Sequence, residues 1–95
     1  MITLTNKQTN YSVENIGENI KLTGTVAFAE DGRIISFNGT FMTEQESYVG
    51  SFYFNENDNR KSNKSISDVD TDKYDEADEL LDNTINELKQ QVSEL

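Results

Sequence analysis

Apolar and polar residues alternate with a period of two between residues 19 and 54, which is the pattern of β-strands with one buried face. The alternation is interrupted twice, by an Asp31-Gly32 pair and by a polar stretch over residues 43–46. It therefore predicts three antiparallel strands. Their core-facing residues are Ile20, Leu22, Val26, Phe28, Ile35, Phe37, Phe41, Tyr48, Phe52 and Phe54.

The Asp31-Gly32 pair predicts how the first two of these strands align. Asp-Gly is favoured in a two-residue hairpin because both central residues need a positive φ. Such a turn places every apolar side chain of both strands on one face, which supports the register. The predicted opposite pairs are Glu30 with Arg33, Phe28 with Ile35, Val26 with Phe37, Gly24 with Gly39, and Leu22 with Phe41.

Three glycines, at positions 24, 39 and 50, fall within the predicted strands. A four-residue loop from Thr43 to Glu46 would set Met42 opposite Ser47 and Gly39 opposite Gly50. The glycines would then form a row across the apolar face. Glycine inside a strand marks a bend or a close approach by another group. The row either lets the sheet coil and a helix pack closely, or forms a shallow ligand groove.

Two shorter strands are predicted upstream, around Ile2 and Leu4 and around Tyr11 and Val13. The placement of residues 1–18 in the sheet is left open by the sequence. The predicted exposed face of the meander carries four surplus apolar groups, which are either covered by the N-terminal strands or form an interaction surface. They are Ile34, Met42, Val49 and Tyr53.

The C-terminal part combines a polar segment with a helical pattern. Residues 56–70 are rich in asparagine and serine and predict a linker, whereas residues from Asp72 to Glu94 have the three-to-four spacing of an amphipathic helix. The helix packs either on the sheet or against a partner helix. Its apolar stripe consists of Tyr74, Ala77, Leu80, Leu81, Thr84, Ile85, Leu88, Val92 and Leu95.

These elements define an α+β fold, an antiparallel meander of four to five strands with one C-terminal amphipathic helix packed on one face. The predicted single domain comprises a sheet over residues 1–55, the linker over 56–70 and the helix segment over 71–95. A chain of 95 residues is the size of one small domain.

Negative charge is concentrated in the helix segment. The net charge is −10, of which residues 68–95 contribute −8 from ten acids and two lysines. Such a field repels phosphate backbones, so direct nucleic-acid binding is disfavoured and a basic protein partner is favoured. The acids include like-charge neighbours four residues apart, which destabilise a helix. Asp75, Asp78 and Asp82 are therefore candidate interaction residues.

The twelve residues from Asp68 to Glu79 resemble an EF-hand calcium loop in their ligand spacing. Lys73 occupies the position of the EF-hand glycine, and no amphipathic helix is predicted before Asp68. The same acids suit the N-terminus of a helix, where they interact with its positive end and its free N–H groups. Weak calcium binding is the alternative to this structural explanation. Its candidate ligands are Asp68, Asp70, Asp72, Glu76 and Glu79.

Composition narrows the function classes. The chain has no histidine and no cysteine, so the commonest general base and the thiolate metal ligands are missing. We expect a non-catalytic accessory or interaction protein without a cofactor, either monomeric or homodimeric. Alternatives are an acidic inhibitor that mimics nucleic acid and occupies a basic nuclease or regulator, and a weak calcium-binding module.

The expected location is the cytoplasm or the interior of a phage particle, because no signal peptide or membrane segment is predicted. The wealth of asparagine, lysine and isoleucine is typical of small accessory proteins of AT-rich bacteria and their phages. No individual motif carries that phage-like assignment.

Overall fold

The computed structural model describes residues 2–7, 10–29, 32–56 and 61–92, with residues 2–7 and 92 described by their backbone alone. Six strands precede one helix in the described chain. They are β1 (Ile2–Lys7), β2 (Asn10–Ile16), β3 (Ile20–Phe28), β4 (Ile34–Thr43), β5 (Tyr48–Glu56), β6 (Ser62–Ser67) and α1 (Thr71–Val92).

The strands form one antiparallel sheet in chain order, and α1 packs on one of its faces. The predicted fold class is confirmed. Antiparallel neighbours need only short loops, so each strand lies beside its successor. The predicted N-terminal strands are present as β1 and β2, which pair with Leu4 opposite Val13.

The predicted linker is wrong for the six residues of β6. This strand pairs with β5, so that Ile66 lies opposite Phe52 and Lys64 opposite Phe54. The segment has a single aliphatic side chain, and its alternation is therefore too weak to stand out in the sequence. Its pairing depends on backbone hydrogen bonds to β5 and on the contacts of Lys64, which local hydropathy does not report.

The β3–β4 hairpin matches the predicted register except near its turn. Leu22 faces Phe41, Gly24 faces Gly39 and Val26 faces Phe37, as predicted. Ala29 N donates a hydrogen bond to Arg33 O at 2.8 Å, and Gly32 N donates to Ala29 O at 3.0 Å. The loop between Ala29 and Arg33 thus has three residues rather than two, and Gly32 has a φ of 87°. Glu30, predicted to face Arg33, lies outside the described residues.

A β-bulge corrects the shift that this longer loop introduces. Phe28 pairs with Ile34 and Ala27 with Ser36, which leaves Ile35 as the extra residue of β4. The predicted Phe28–Ile35 pair is therefore wrong. Ile34, predicted on the exposed face, is fully buried, and Ile35 is 49% exposed.

The β4–β5 hairpin is built in the same way. Thr43 N donates to Ser47 O at 2.9 Å across a three-residue loop whose last residue, Glu46, has a φ of 65°. Met42 pairs with Tyr48, and Val49 is the extra residue of the bulge. The predicted Met42–Ser47 pair and the four-residue loop are wrong. Tyr48, predicted to face the core, is 57% exposed because it pairs with Met42 on the other side of the bulge.

The loop and the bulge together displace β5 by two residues from the predicted register. Gly39 therefore faces Phe52 and Gly50 faces Phe41, so the predicted Gly39–Gly50 pair is wrong. Because side chains alternate with a period of two, this displacement leaves all three glycines on the core face. A Cβ built on Gly24 would lie 3.0 Å from Cζ of Phe52. The space left by the glycine is occupied by the Phe52 ring and by neighbouring backbone, not by a ligand groove.

The core lies between the sheet and α1. The helix begins at Thr71, one residue before the predicted start at Asp72, and is described as far as Val92. The predicted end at Glu94 lies in residues 93–95, outside the described chain. The described side chains of its stripe are buried as predicted, except that Tyr74 is 43% exposed. The side chains of Val92 and Leu95, also assigned to the stripe, lie outside the described residues. The stripe therefore packs on its own sheet rather than on a partner helix. The buried helix residues are Ala77, Leu80, Leu81, Thr84, Ile85 and Leu88.

Candidate interaction surface

Hydrogen bonds hold the helix on both flanks, to β6 on one side and to the β2–β3 turn on the other. On one flank, Lys64 Nζ on β6 donates hydrogen bonds to Oδ1 of Asp78 and, at 3.0 Å, to Oδ1 of Asp82. Since Asp78 and Asp82 are four residues apart on α1, their carboxylates repel each other. The ammonium group between them offsets that repulsion.

The same arrangement changes the ionisation of Lys64. Its hydrogen bond to Asp78 raises the pKa of Lys64 above the ordinary value, and Asp82 adds to this effect, while partial burial opposes it. The lysine therefore stays charged throughout the neutral range. Sequence reasoning missed this residue because it fell in the predicted linker, although its spacing of two from Ile66 is the signal of a shared strand face.

On the opposite flank, the carboxylate of Glu76 binds the β2–β3 turn. Its Oε2 accepts a hydrogen bond from Asn19 N at 2.9 Å, and its Oε1 accepts one from Asn19 Nδ2 at 3.2 Å. A cavity of about 180 Å³ adjoins this contact. It is lined by Gly17, Glu18, Glu76, Glu79, Leu80 and Asn83.

A further ion pair joins the end of the helix to the sheet. Lys89 Nζ donates to Oε2 of Glu56, whose Oε1 accepts a hydrogen bond from Ile34 N at 3.1 Å. One carboxylate thus connects β5, the start of β4 and α1. The Glu56 carboxylate and the hydrogen bonds on the two flanks together fix the rotation of the helix about its own axis.

This rotation leaves four carboxylates exposed on the side of the helix opposite its buried stripe. We define the acidic face as Asp72, Asp75, Glu79 and Asp82, all of which are exposed. The three-to-four spacing of these residues puts them on one side of a helix, opposite the buried stripe. Of the predicted interaction residues, Asp75 lies on this face. Asp82 lies at its margin and shares Lys64 with the half-buried Asp78.

The predicted calcium ligands do not form an EF-hand loop, because residues 71–79 of the window are helical. Asp68 has a φ of 66° and accepts a hydrogen bond from the Tyr48 hydroxyl at 3.1 Å. Within the described residues, no group of three or more histidine, cysteine, aspartate or glutamate side chains is arranged to hold a metal ion. Calcium binding stays a prediction, and a Ca²⁺ titration of the chain and of Asp70→Asn tests it.

The apolar residues predicted as a second interaction surface are in different environments. Ile34 is in the core, and the half-buried Val49 packs against the core cluster. Tyr53 is 41% exposed on the sheet face opposite α1, and Met42 is half-buried. Of these four residues, Tyr53 is therefore the best placed to contact a partner.

Comparison with protein-family models, curated proteins and solved structures finds no match to this chain. No helix in the described ranges is both long and apolar enough to cross a membrane.

Proposed function

We propose that this chain is a small, non-catalytic interaction protein that binds a basic protein surface through the acidic face of α1. The observation that carries the proposal is the exposure of Asp72, Asp75, Glu79 and Asp82 on one side of a helix whose rotation is fixed. A rigid arrangement lowers the entropic cost of binding. The charges steer a basic partner toward the helix.

The low content of catalytic side chains supports a non-catalytic role. The chain lacks histidine and cysteine, and its carboxylates are distributed along a helix surface. A pair of carboxylates acting as acid and base needs a defined separation across a substrate cleft. An exposed helix face meets a protein surface more readily than it encloses a small substrate.

A matched pair of double variants tests the proposal. Asp75→Asn with Glu79→Gln removes two charges from the acidic face, whereas Glu14→Gln with Glu44→Gln removes two exposed charges elsewhere. The immobilised wild-type chain is expected to retain a basic protein that rising NaCl releases. The first variant should lose that protein and the second should keep it. Equal retention by both variants, or retention insensitive to salt, contradicts the proposal.

Nucleic-acid mimicry is the second candidate function, and the charge spacing favours it. From Asp72 to Asp82 the helix axis advances about 15 Å, over which four exposed carboxylates are spaced about 5 Å apart. One strand of duplex DNA carries a phosphate about every 3.4 Å along its axis. The linear charge density of the acidic face is thus about two thirds of that of one DNA strand.

Competition distinguishes mimicry from simple association. If the chain is a mimic, it should displace a labelled DNA duplex from the retained basic protein at about stoichiometric concentration. The Asp75→Asn, Glu79→Gln variant should displace the duplex poorly. A ternary complex that contains the chain, the partner and the duplex would exclude mimicry while leaving association intact.

A further inference from the structure

The sheet face opposite α1 differs from the rest of the surface. We define the outer face by the outward-facing residues of β2–β6, among which hydroxyl and amide side chains dominate. Successive rows run across the strands: Ser12, Thr25, Asn38, Tyr53 and Ser65 form one row, and Thr23, Thr40, Ser51 and Ser67 belong to the next. Many of these side chains are exposed, including Thr25, Asn38, Tyr53, Ser65 and Ser67.

The outer face carries little net charge in a strongly acidic chain. Among its described residues the charged ones are Glu14 and Lys21, of opposite sign, and Lys21 forms an ion pair with Glu46 at 3.2 Å. The net charge of the whole chain is −10. Two copies that approach through their outer faces would keep their acidic helices on opposite sides of the assembly, where repulsion is weakest.

Hydroxyl and amide groups also make this face complementary to itself. Serine, threonine, tyrosine and asparagine side chains each both donate and accept hydrogen bonds. A two-fold axis brings the same patch of both copies together, so each row finds partners in its counterpart. A carboxylate surface has acceptors alone and lacks this property.

The size of the sheet is sufficient for such an interface. The five strands β2–β6, of six to ten residues each, at about 3.3 Å per residue and 4.8 Å between strands, give a plane of roughly 650 Å². A standard interface buries about 600–1,000 Å² on each partner. Tyr53, opposite Asn38 and Ser65, lies near the middle of this plane and offers an aromatic contact.

We propose that two copies of this chain associate back to back through their outer faces, forming a two-fold homodimer. The acidic faces then point outward in opposite directions, and each copy presents its own helix to a partner. This inference is independent of the proposed function, because it concerns the other side of the sheet.

The test is the mass in solution, measured by light scattering and sedimentation from about 1 to 500 µM. The wild-type chain has a mass of 10.8 kDa, and a species of about twice that mass is expected at the higher concentrations. Asn38→Asp places two like charges near the two-fold axis and should weaken association about tenfold or more. Asn86→Asp makes the same chemical change on the exposed side of α1 and should leave association unchanged.

Tyr53→Lys provides a second variant in which charge replaces the central aromatic ring, and circular dichroism establishes that each variant is folded. A monomer at every concentration overturns the proposal. So does a dimer that neither Asn38→Asp nor Tyr53→Lys weakens.

Discussion

The side-chain amide of Asn15 on β2 donates a hydrogen bond of 2.8 Å to the hydroxyl of Thr84 on α1, within the core. Both residues are buried, at 4% and 0% exposure, and the Thr84 hydroxyl in turn donates to Leu80 O at 2.6 Å. The Thr84 hydroxyl thus provides a hydrogen-bond partner for the Asn15 amide on the sheet side of the core and for the Leu80 carbonyl on the helix side. It fixes the position of the helix along the strand more specifically than apolar contacts do.

Replacing Thr84 with valine is expected to lower the free energy of unfolding by about 1–3 kcal/mol. The isosteric change removes the acceptor for the Asn15 amide and leaves a buried donor without this bond. Asn15→Leu combined with Thr84→Val should cost less than the two single changes added together, since both polar partners are then gone. Urea unfolding of the four proteins in this cycle measures the coupling. Additive losses would show that the bond does not connect the helix to the strand energetically.

Adjacent isoleucines test the β-bulge in β4. Ile34→Ala removes a fully buried side chain and should lower the free energy of unfolding by about 2–4 kcal/mol. Ile35→Ala, the matched control, alters a side chain that is 49% exposed and should cost less than about 1 kcal/mol. Denaturant midpoints of both variants provide the comparison. A larger loss for Ile35→Ala than for Ile34→Ala would contradict the bulge and support the regular hairpin register.

Lys64 is expected to contribute a salt-dependent stabilisation of about 0.5–1 kcal/mol through its ion pairs with the helix. Lys64→Met should lose this contribution, whereas Lys64→Arg should keep most of it. Unfolding in about 1 M NaCl should reduce the difference between wild type and Lys64→Met. A difference that does not change with salt would assign the effect to packing of the aliphatic stem.

The pH dependence of the same contribution follows from the raised pKa of Lys64. Because the folded-state pKa lies above the unfolded one, the stabilisation is fully present below the ordinary lysine pKa of about 10.4. It is lost as the pH rises through the folded-state value. Urea unfolding between pH 7 and pH 11.5 should therefore show the wild-type and Lys64→Met curves converging in the alkaline range. Parallel curves would exclude the linkage.

Gly39→Ala should destabilise the protein by more than about 2 kcal/mol. A Cβ at this position would meet the carbonyl oxygen of Thr23, which belongs to the neighbouring backbone and cannot rotate away. Ser36→Ala, on the outer face of the same strand, should change stability by less than about 0.5 kcal/mol. Thermal melts of both variants check the contrast. A neutral Gly39→Ala would show that β3 and β4 separate easily at this point.

Hydrophobic alternation assigned the core face of β3 and of the parts of β4 and β5 beyond the bulges, because the period of two survives any register shift by two residues. It failed near the bulges, where Ile35 and Tyr48, both predicted to face the core, are 49% and 57% exposed. Phe37, Phe41, Phe52 and Phe54 are buried as the pattern predicts. The helical stripe likewise predicted which side of α1 packs on the sheet. Tyr74 is an exception, since it lies in the first turn of the helix.

Loop lengths were not determined by the same pattern. In both hairpins a residue of positive φ, Gly32 or Glu46, ends a three-residue loop, and a bulge follows. Glutamate is not a typical residue for a positive φ, so the turn at Glu46 depends on the strand pairing of the whole hairpin rather than on the preference of this residue. The environments of Ile34 and Val49 follow from these bulges.

The sequence by itself determined the α+β class, the core-facing residues of the central strands away from the bulges, the start of the helix and the concentration of negative charge toward the C-terminus. These properties are local or periodic, and each depends on residue types near one another in the chain. Only the tertiary structure decided that β6 joins the sheet, that Lys64 lies between Asp78 and Asp82, and that Glu76 binds Asn19. The side-chain contacts of Lys64 and Glu76 join residues 14 to 57 positions apart, and their energies depend on side chains that meet only after the sheet and the helix have packed.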